Sequence, residues 1–285
     1  STAVEEDVQE VIQARSLNIP IIQRSALLSL IIESRRTIAV GGTSGKSTTS
    51  AMIFSILEYA GMSPSIISGA GLVSIMEEGR IGNAKVGTGQ WLIVEADESD
   101  GSITRYHPEI GVLLNIDKDH KEVSELVKLF TQFRDQSRLF VVNRSHSLTA
   151  ALSKDALYDF GFDKAGGAHC VATDLNSSGM EIRFRVENVP FLLRCPGKHN
   201  VENALAAIAV AGIVGVDLKT CSAALEGYRG IYRRHQLIGR HKGIWLIDDY
   251  AHNPVKCAAS IQACQALSPK VIAWFQPHGY GPTRF

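Results

Sequence analysis

No stretch of these 285 residues approaches the roughly eighteen consecutive apolar residues that a membrane-spanning helix needs. Excess charge is missing too. The 29 Lys and Arg balance 29 Asp and Glu, so electrostatics favours neither a nucleic-acid nor a membrane partner. Cysteine is sparse, with five residues, an odd number and no Cys-x-x-Cys pair. That favours reduced, mostly buried thiols in a cytoplasmic protein over disulfide pairing. The acidic start, Ser1-Thr2-Ala3-Val4-Glu5-Glu6-Asp7, is wrong for a signal peptide. Internal repeats and low-complexity segments are also lacking. What is present is a globular composition, 45% apolar and 20% charged, with length for about two domains.

The most informative run is Gly42-Thr43-Ser44-Gly45-Lys46-Ser47-Thr48. A β-branched run, Thr37 to Val40, precedes it and predicts a buried strand. Apolar residues at helical spacing follow from Thr48 to Ala60, with Gly61 as a stop. Strand, glycine turn and helix in that order direct backbone N–H groups and a helix N-terminus at one anion. Lys46 would reach the outer phosphates of a nucleotide, and the Ser47 hydroxyl would bind Mg²⁺. The usual spacing wants a glycine at position 40, which is Val40, so the loop is a shortened form with Gly42 as its outer glycine.

From Arg36 onward, short apolar runs alternate with helical patterns. Ser65–Ile67, Trp91–Val94, Ile110–Leu114 and Leu139–Val142 predict strands covered on both faces, with a helix over Val123–Phe133. The fold class is therefore α/β: a P-loop domain with a mostly parallel sheet. Cys170 to Arg194 predicts a small antiparallel hairpin layer, and Asn200–Val214 and Leu218–Leu225 predict helices. Upstream, Val8–Leu17 and Ala26–Ser34 predict helices flanking a short strand at Ile19–Ile22. After Gly239, strand Ile244–Ile247, helix Pro254–Leu267 and strand Val271–Phe275 predict a βαβ unit that starts a Rossmann-like fold.

Other polar clusters end strands. Glu95-Ala96-Asp97-Glu98-Ser99-Asp100 and Asn115-Ile116-Asp117-Lys118-Asp119-His120 would face the crevice that holds the phosphate loop, where carboxylates can hold Mg²⁺ or merely solvate a strand end. Asn200 could be a helix N-cap, or with Asn203 could present amides to a base edge. Arg233-Arg234-His235-Gln236 stands at a predicted domain junction, either solvated or able to swing onto a phosphate. Asp248-Asp249-Tyr250-Ala251-His252-Asn253-Pro254 again links a strand to a helix.

In this order the motifs resemble the Mur ligases, ATP-dependent amide-forming enzymes of peptidoglycan synthesis, across essentially the whole chain. The resemblance implies three domains: residues 1–36 as the remnant of a UDP-sugar-binding domain, 37–238 as the central ATPase, and 239–285 as the start of a C-terminal amino-acid-binding domain. It further implies ATP and Mg²⁺ as cofactors, with the phosphates on Gly42, Thr43, Ser44, Gly45, Lys46, Ser47 and Thr48. Metal ions would bind Ser47, Glu95 and His120, and adenine would meet Asn200 and Asn203. Arg234 would contact the γ-phosphate, Asp249 and Tyr250 would border the nucleotide, and Lys46, His120 and Arg234 would carry catalysis. His199 and Arg233 would neighbour the same site. Within the family, Glu95 to Asp100 and Phe275-Gln276-Pro277-His278 point to joining UDP-N-acetylmuramate to L-alanine in the bacterial cytoplasm, or to joining a recycled tripeptide to the same sugar nucleotide. Lys121-Glu122 after His120 departs from the family pattern, and so does the tail Gly279 to Arg284. Lys128 does not fit the position of the carbamylated lysine that some members use. The resemblance also implies that this chain alone binds Mg-ATP weakly and makes no product.

Two rivals remain. A P-loop kinase or GTPase is one, although Asn115-Ile116-Asp117-Lys118 only scrambles the guanine-reading Asn-Lys-x-Asp. A nucleotide-binding module without catalysis is the other.

Overall fold

A computed structural model describes residues 6–99, 101–118, 121–164, 166–251 and 254–276. Aliphatic runs pair into a six-stranded sheet from β1 (Arg36–Gly41), β2 (Ser65–Ile67), β3 (Ala84–Lys85), β4 (Trp91–Glu95), β5 (Ile110–Leu113) and β6 (Leu139–Val142), in the order β3-β2-β4-β1-β5-β6. All neighbours are parallel except the β2–β3 pair. From β1 the chain runs to one side, through β2 and the edge strand β3, returns to β4 beside β1, and then crosses to β5 on the other side. The carboxyl end of β1 is therefore a topological switch point, where an α/β sheet opens a crevice for ligands.

Side chains alternate between two cores, as a sheet covered on both faces requires. On one face Ile38, Val40, Trp91, Ile93 and Val112 join Met52, Ile53 and Ile56 of α3 (Lys46–Tyr59) and Leu205 and Ile208 of α7 (Lys198–Ile213). On the other, Ala39, Leu92, Val94, Leu113 and Phe140 meet Leu126, Phe130 and Phe133 of α5 (Val123–Gln136) and Ile32 of α2 (Arg24–Glu33). The Phe133 and Phe140 rings meet edge to face, with centroids 5.6 Å apart. Short helices α4 (Val73–Met76) and α6 (Ser147–Ala150) lie in the connections, and α1 (Gln9–Ser16) precedes α2.

The second sheet contains β7 (Phe160–Gly161), β8 (Cys170–Ser178), β9 (Glu181–Val186) and β10 (Val189–Leu193), with β8, β9 and β10 antiparallel as predicted. Its inner face, including Phe184 and Phe191, shares the α7 core, and α8 (Leu218–Glu226) packs on β10 and α3. Beyond it, β11 (Gln236–His241) and β12 (Ile244–Asp248) form a separate antiparallel pair, followed by α9 (Pro254–Gln265). No helix of the described residues is long and apolar enough to cross a membrane.

Three sequence expectations need correction. Ile19–Ile22 is not a strand: Ile19, Ile21 and Ile22 are each more than half exposed, and no described strand lies alongside to take their backbone hydrogen bonds. The unit after Gly239 is not a βαβ unit. It opens with a hairpin in which Gly239 itself pairs with Leu246, and Val271–Phe275 forms no strand, leaving Trp274 97% exposed. Strand β11 escaped notice because Gln236 to His241 shows no apolar alternation.

Candidate active site

The phosphate loop takes its shape from two glycines at positive φ, a region that other residues rarely adopt. Gly42 has φ +135° and Gly45, the N-cap of α3, has φ +87°. Space is tight at both positions as well. A Cβ on Gly42 would lie 3.1 Å from Leu114 Cβ, and one on Gly45 only 2.5 Å from Asn203 Oδ1. The first N–H groups of α3 have no partner within the helix, which makes its N-terminus receptive to an anion.

Two charged or polar side chains of that first turn are already engaged. Lys46 Nζ folds back to donate to Gly42 O at 2.7 Å and to the Glu98 carboxylate at 2.8 and 3.1 Å. Glu98 is 5% exposed, so the pair is largely desolvated. Ser47 Oγ donates to Glu95 Oε2 at 3.0 Å, while Glu95 Oε1 accepts from Ser68 Oγ at 2.7 Å and Gly69 N at 2.6 Å. Adjacent strands β2, β4 and β1 thus deliver Ser68, Glu95 and the loop to one edge. Hydroxyl and carboxylate oxygens side by side form the hard-donor set that suits Mg²⁺. No cluster of three or more His, Cys, Asp or Glu arranged for a metal occurs among the described residues.

A cavity of about 400 Å³ opens over this turn, lined by Thr43 to Thr48, Glu95, Asp97 and Glu98 on one side and by His199, Arg234, His235, Asp249 and Lys256 on the other. Asp249 is fixed by main-chain donors, His235 N at 2.7 Å and Ala251 N at 2.8 Å. Burial lowers the pKa of the His199 imidazole, against the opposing pull of Glu202 and Asp249. His235 is lowered too, by burial first and by His199, with Asp249 opposing; its Nε2 is covered and without a hydrogen-bond partner.

The structure therefore brings Thr43 to Thr48, Glu95, Arg234 and Asp249 around one cavity. Tyr250 is not in the lining; its ring lies 5.5 Å from the Arg233 guanidinium. Asn200 and Asn203 sit behind the loop, both buried. Asn200 Nδ2 donates to Pro196 O at 2.7 Å, Asn203 Nδ2 to Asn200 Oδ1 at 3.3 Å, and Asn203 Oδ1 accepts from Thr49 at 3.2 Å. His120, with Asp100, Asp119 and His252, lies outside the described residues. Sequence reasoning missed Glu98 as the partner of Lys46, Ser68 as a support of Glu95, and Asn115 as a support of the loop. Only the order of strands in the sheet would have pointed to them.

A glycine turn from a central parallel strand into a helix, with lysine and serine at the helix start and a carboxylate alongside, defines a P-loop nucleotide-binding α/β domain. Residues 40–211 match the Mur ligase middle domain, and the chain belongs to the Mur ligase family. It is 37% identical over 306 residues to the UDP-N-acetylmuramate–L-alanine ligase of Thermosynechococcus vestitus, covering 100% of this chain and 62% of that protein. Its identity to the enzyme of the same name from Dictyoglomus turgidum is 36% over 299 residues, covering 100% of this chain and 63% of that protein. The crystal structure of UDP-N-acetylmuramate–alanine ligase from Thermotoga maritima superposes with a TM-score of 0.82 at 28% identity, covering 94% of this chain and 63% of that one. A murein peptide ligase from Psychrobacter arcticus shares the fold, with a TM-score of 0.70 at 22% identity over 93% of this chain and 62% of that one. The chain thus spans less than two thirds of the length of these relatives.

Proposed function

We propose that this protein carries the ATP-binding centre of a ligase that joins the carboxylate of UDP-N-acetylmuramate to the amino group of L-alanine. The observation that carries the proposal is the contact of Ser47 with Glu95 at 3.0 Å beside Lys46, at the N-terminus of α3. The names of the relatives at 36–37% identity support L-alanine over a tripeptide, since the murein peptide ligase likeness speaks for the fold alone.

A carboxylate is a poor electrophile, and ATP supplies the remedy. A carboxylate oxygen attacks the γ-phosphorus, the bond to the β–γ bridging oxygen breaks, and ADP leaves an acyl phosphate. The amine nitrogen then attacks the acyl carbon, loses a proton and expels inorganic phosphate. The protein's task is positioning and charge neutralisation. Lys46 exchanges Glu98 for the β- and γ-phosphates, the first N–H groups of α3 cradle the β-phosphate, and Arg234 approaches the γ-phosphate from across the cavity. Mg²⁺, held by Ser47 and Glu95, would neutralise phosphate charge; a second site at His120 rests on the family resemblance. Asp249 borders the nucleotide, with Tyr250 beside Arg233. Asn200 and Asn203 would need a freed amide edge to read adenine, because Asn200 now serves Pro196 O and Asn203, and Asn203 serves Asn200 and Thr49 of α3. We place the junction between the central and following units at 233–235, where Arg233 and His235 have φ +55° and +48°, because a boundary at 238 would cut β11. ATP supply and free cysteines suit the bacterial cytoplasm.

The test is phosphate release by the full-length gene product with ATP and UDP-N-acetylmuramate. L-Alanine is expected to support release and the murein tripeptide not. Release with the tripeptide alone would replace L-alanine as the substrate.

A further inference from the structure

The phosphate loop is two residues shorter between its glycines than the usual form, and its conformation is held from outside. Asn115, just beyond β5, grips it with both ends of one amide. Its Oδ1 accepts from Thr43 Oγ1 and from Ser44 N, each at 2.8 Å, and its Nδ2 donates to Ser44 O at 3.1 Å. The main chain adds to the clamp: Thr43 N donates to Asn115 O at 3.3 Å, and Asp117 N donates to Thr43 Oγ1 at 3.1 Å.

The consequence follows from peptide geometry. In a trans peptide the C=O and N–H point in opposite directions, and no described peptide is cis. Holding Ser44 O toward Asn115 therefore turns the N–H of Gly45 away from Asn115; Gly45 lines the cavity and Asn115 does not. The N–H of Ser44 is consumed by the clamp and is not offered to an anion. We propose that Asn115 is a positioning residue: it presets the Ser44–Gly45 peptide so that the shortened loop presents its N–H to a nucleotide phosphate before any nucleotide arrives. This rests on the reading of the loop as a triphosphate site. Asn115 touches no phosphate itself; it acts through Ser44 and Thr43.

The experiment compares Mg-ATP and Mg-ADP affinities, by titration calorimetry, of the wild-type chain, Asn115→Ala, Thr43→Val and Thr43→Ser, together with the melting temperature of each without nucleotide. Expected are an about tenfold loss of affinity in Asn115→Ala and Thr43→Val, about 1.4 kcal/mol, by the same factor for ATP and ADP. Thr43→Ser, which keeps the hydroxyl, should restore binding. The melting temperature without nucleotide should stay close to that of the wild type, which separates positioning from general destabilisation. Should Asn115→Ala fail to fold, the contrast of Thr43→Val with Thr43→Ser decides. Variants binding within about twofold of wild type would overturn the role of Asn115 while leaving the nucleotide reading standing. A wild-type chain that binds neither nucleotide would overturn the nucleotide reading and this inference with it.

Discussion

Lys46 and Glu98 hold each other at 2.8 Å in a largely buried pair, so the phosphate loop carries its own substitute for an incoming anion. Under the proposed function, phosphate would displace a carboxylate to reach Lys46, an exchange of partners rather than the filling of a bare charge. Histidines on the far wall make a second point at this scale. The folded pKa of His199 and of His235 lies below the ordinary 6.5. The unfolded chain therefore takes up protons first as pH falls, and the folded state loses stability from near 6.5 downward. His146 has the opposite sign. Its side-chain contact with Glu202 at 3.6 Å raises its pKa, so its contribution is complete at low pH and fades as pH rises past the folded value. Urea midpoints measured from about pH 8 to about pH 5 should therefore fall less steeply below pH 6.5 in His235→Gln than in wild type. Identical acid limbs would show that His235 titrates normally. The placement of Lys46 and Ser47 at the cavity was legible in the sequence because their neighbours along the chain define a turn from strand to helix. Glu98, Asn115 and Ser68 were not, because their partners stand 52, 71 and 27 positions away and are brought close only by the strand order.

At the scale of elements, strands covered on both faces announce themselves as short apolar runs, and β2 and β6 begin and end where those runs do. Strands β3 and β7, each of two residues, carry no period to detect. Val271–Phe275 has strand composition without a strand, since composition cannot supply a neighbour for its backbone groups. The β11–β12 hairpin turns on Lys242 and Gly243, with φ +48° and +80°, between the paired residues His241 and Ile244. Positive φ at both central residues is the turn that favours Asn-Gly, and lysine is strained there. Lys242→Asn should raise the stability of this hairpin by up to about 1 kcal/mol, read as slower hydrogen exchange of the β11 amides. Unchanged or faster exchange would mean that the turn is not strained.

For the whole molecule, the cavity draws one wall from the edge of the parallel sheet and the other from His199 of α7, Arg234, His235 and the residues around Asp249 and Lys256. Such a site is completed only when both walls are in place, which would suit the proposed reaction, whose acyl phosphate must be kept from water. The α/β class and the layered order were legible because alternation of strand and helix fixes them. The far wall was legible only through family resemblance, since Arg234 and Asp249 have no local pattern that marks a ligand site. The most direct test of the phosphate-loop assignment is calorimetric titration of the chain with Mg-ATP and Mg-GTP, repeated with Lys46→Ala. Expected are a preference for ATP and a loss of about ten- to a hundredfold in the variant, the scale of a hydrogen bond to a charged group. Preference for GTP, or a Lys46→Ala chain that binds ATP as the wild type does, would contradict it.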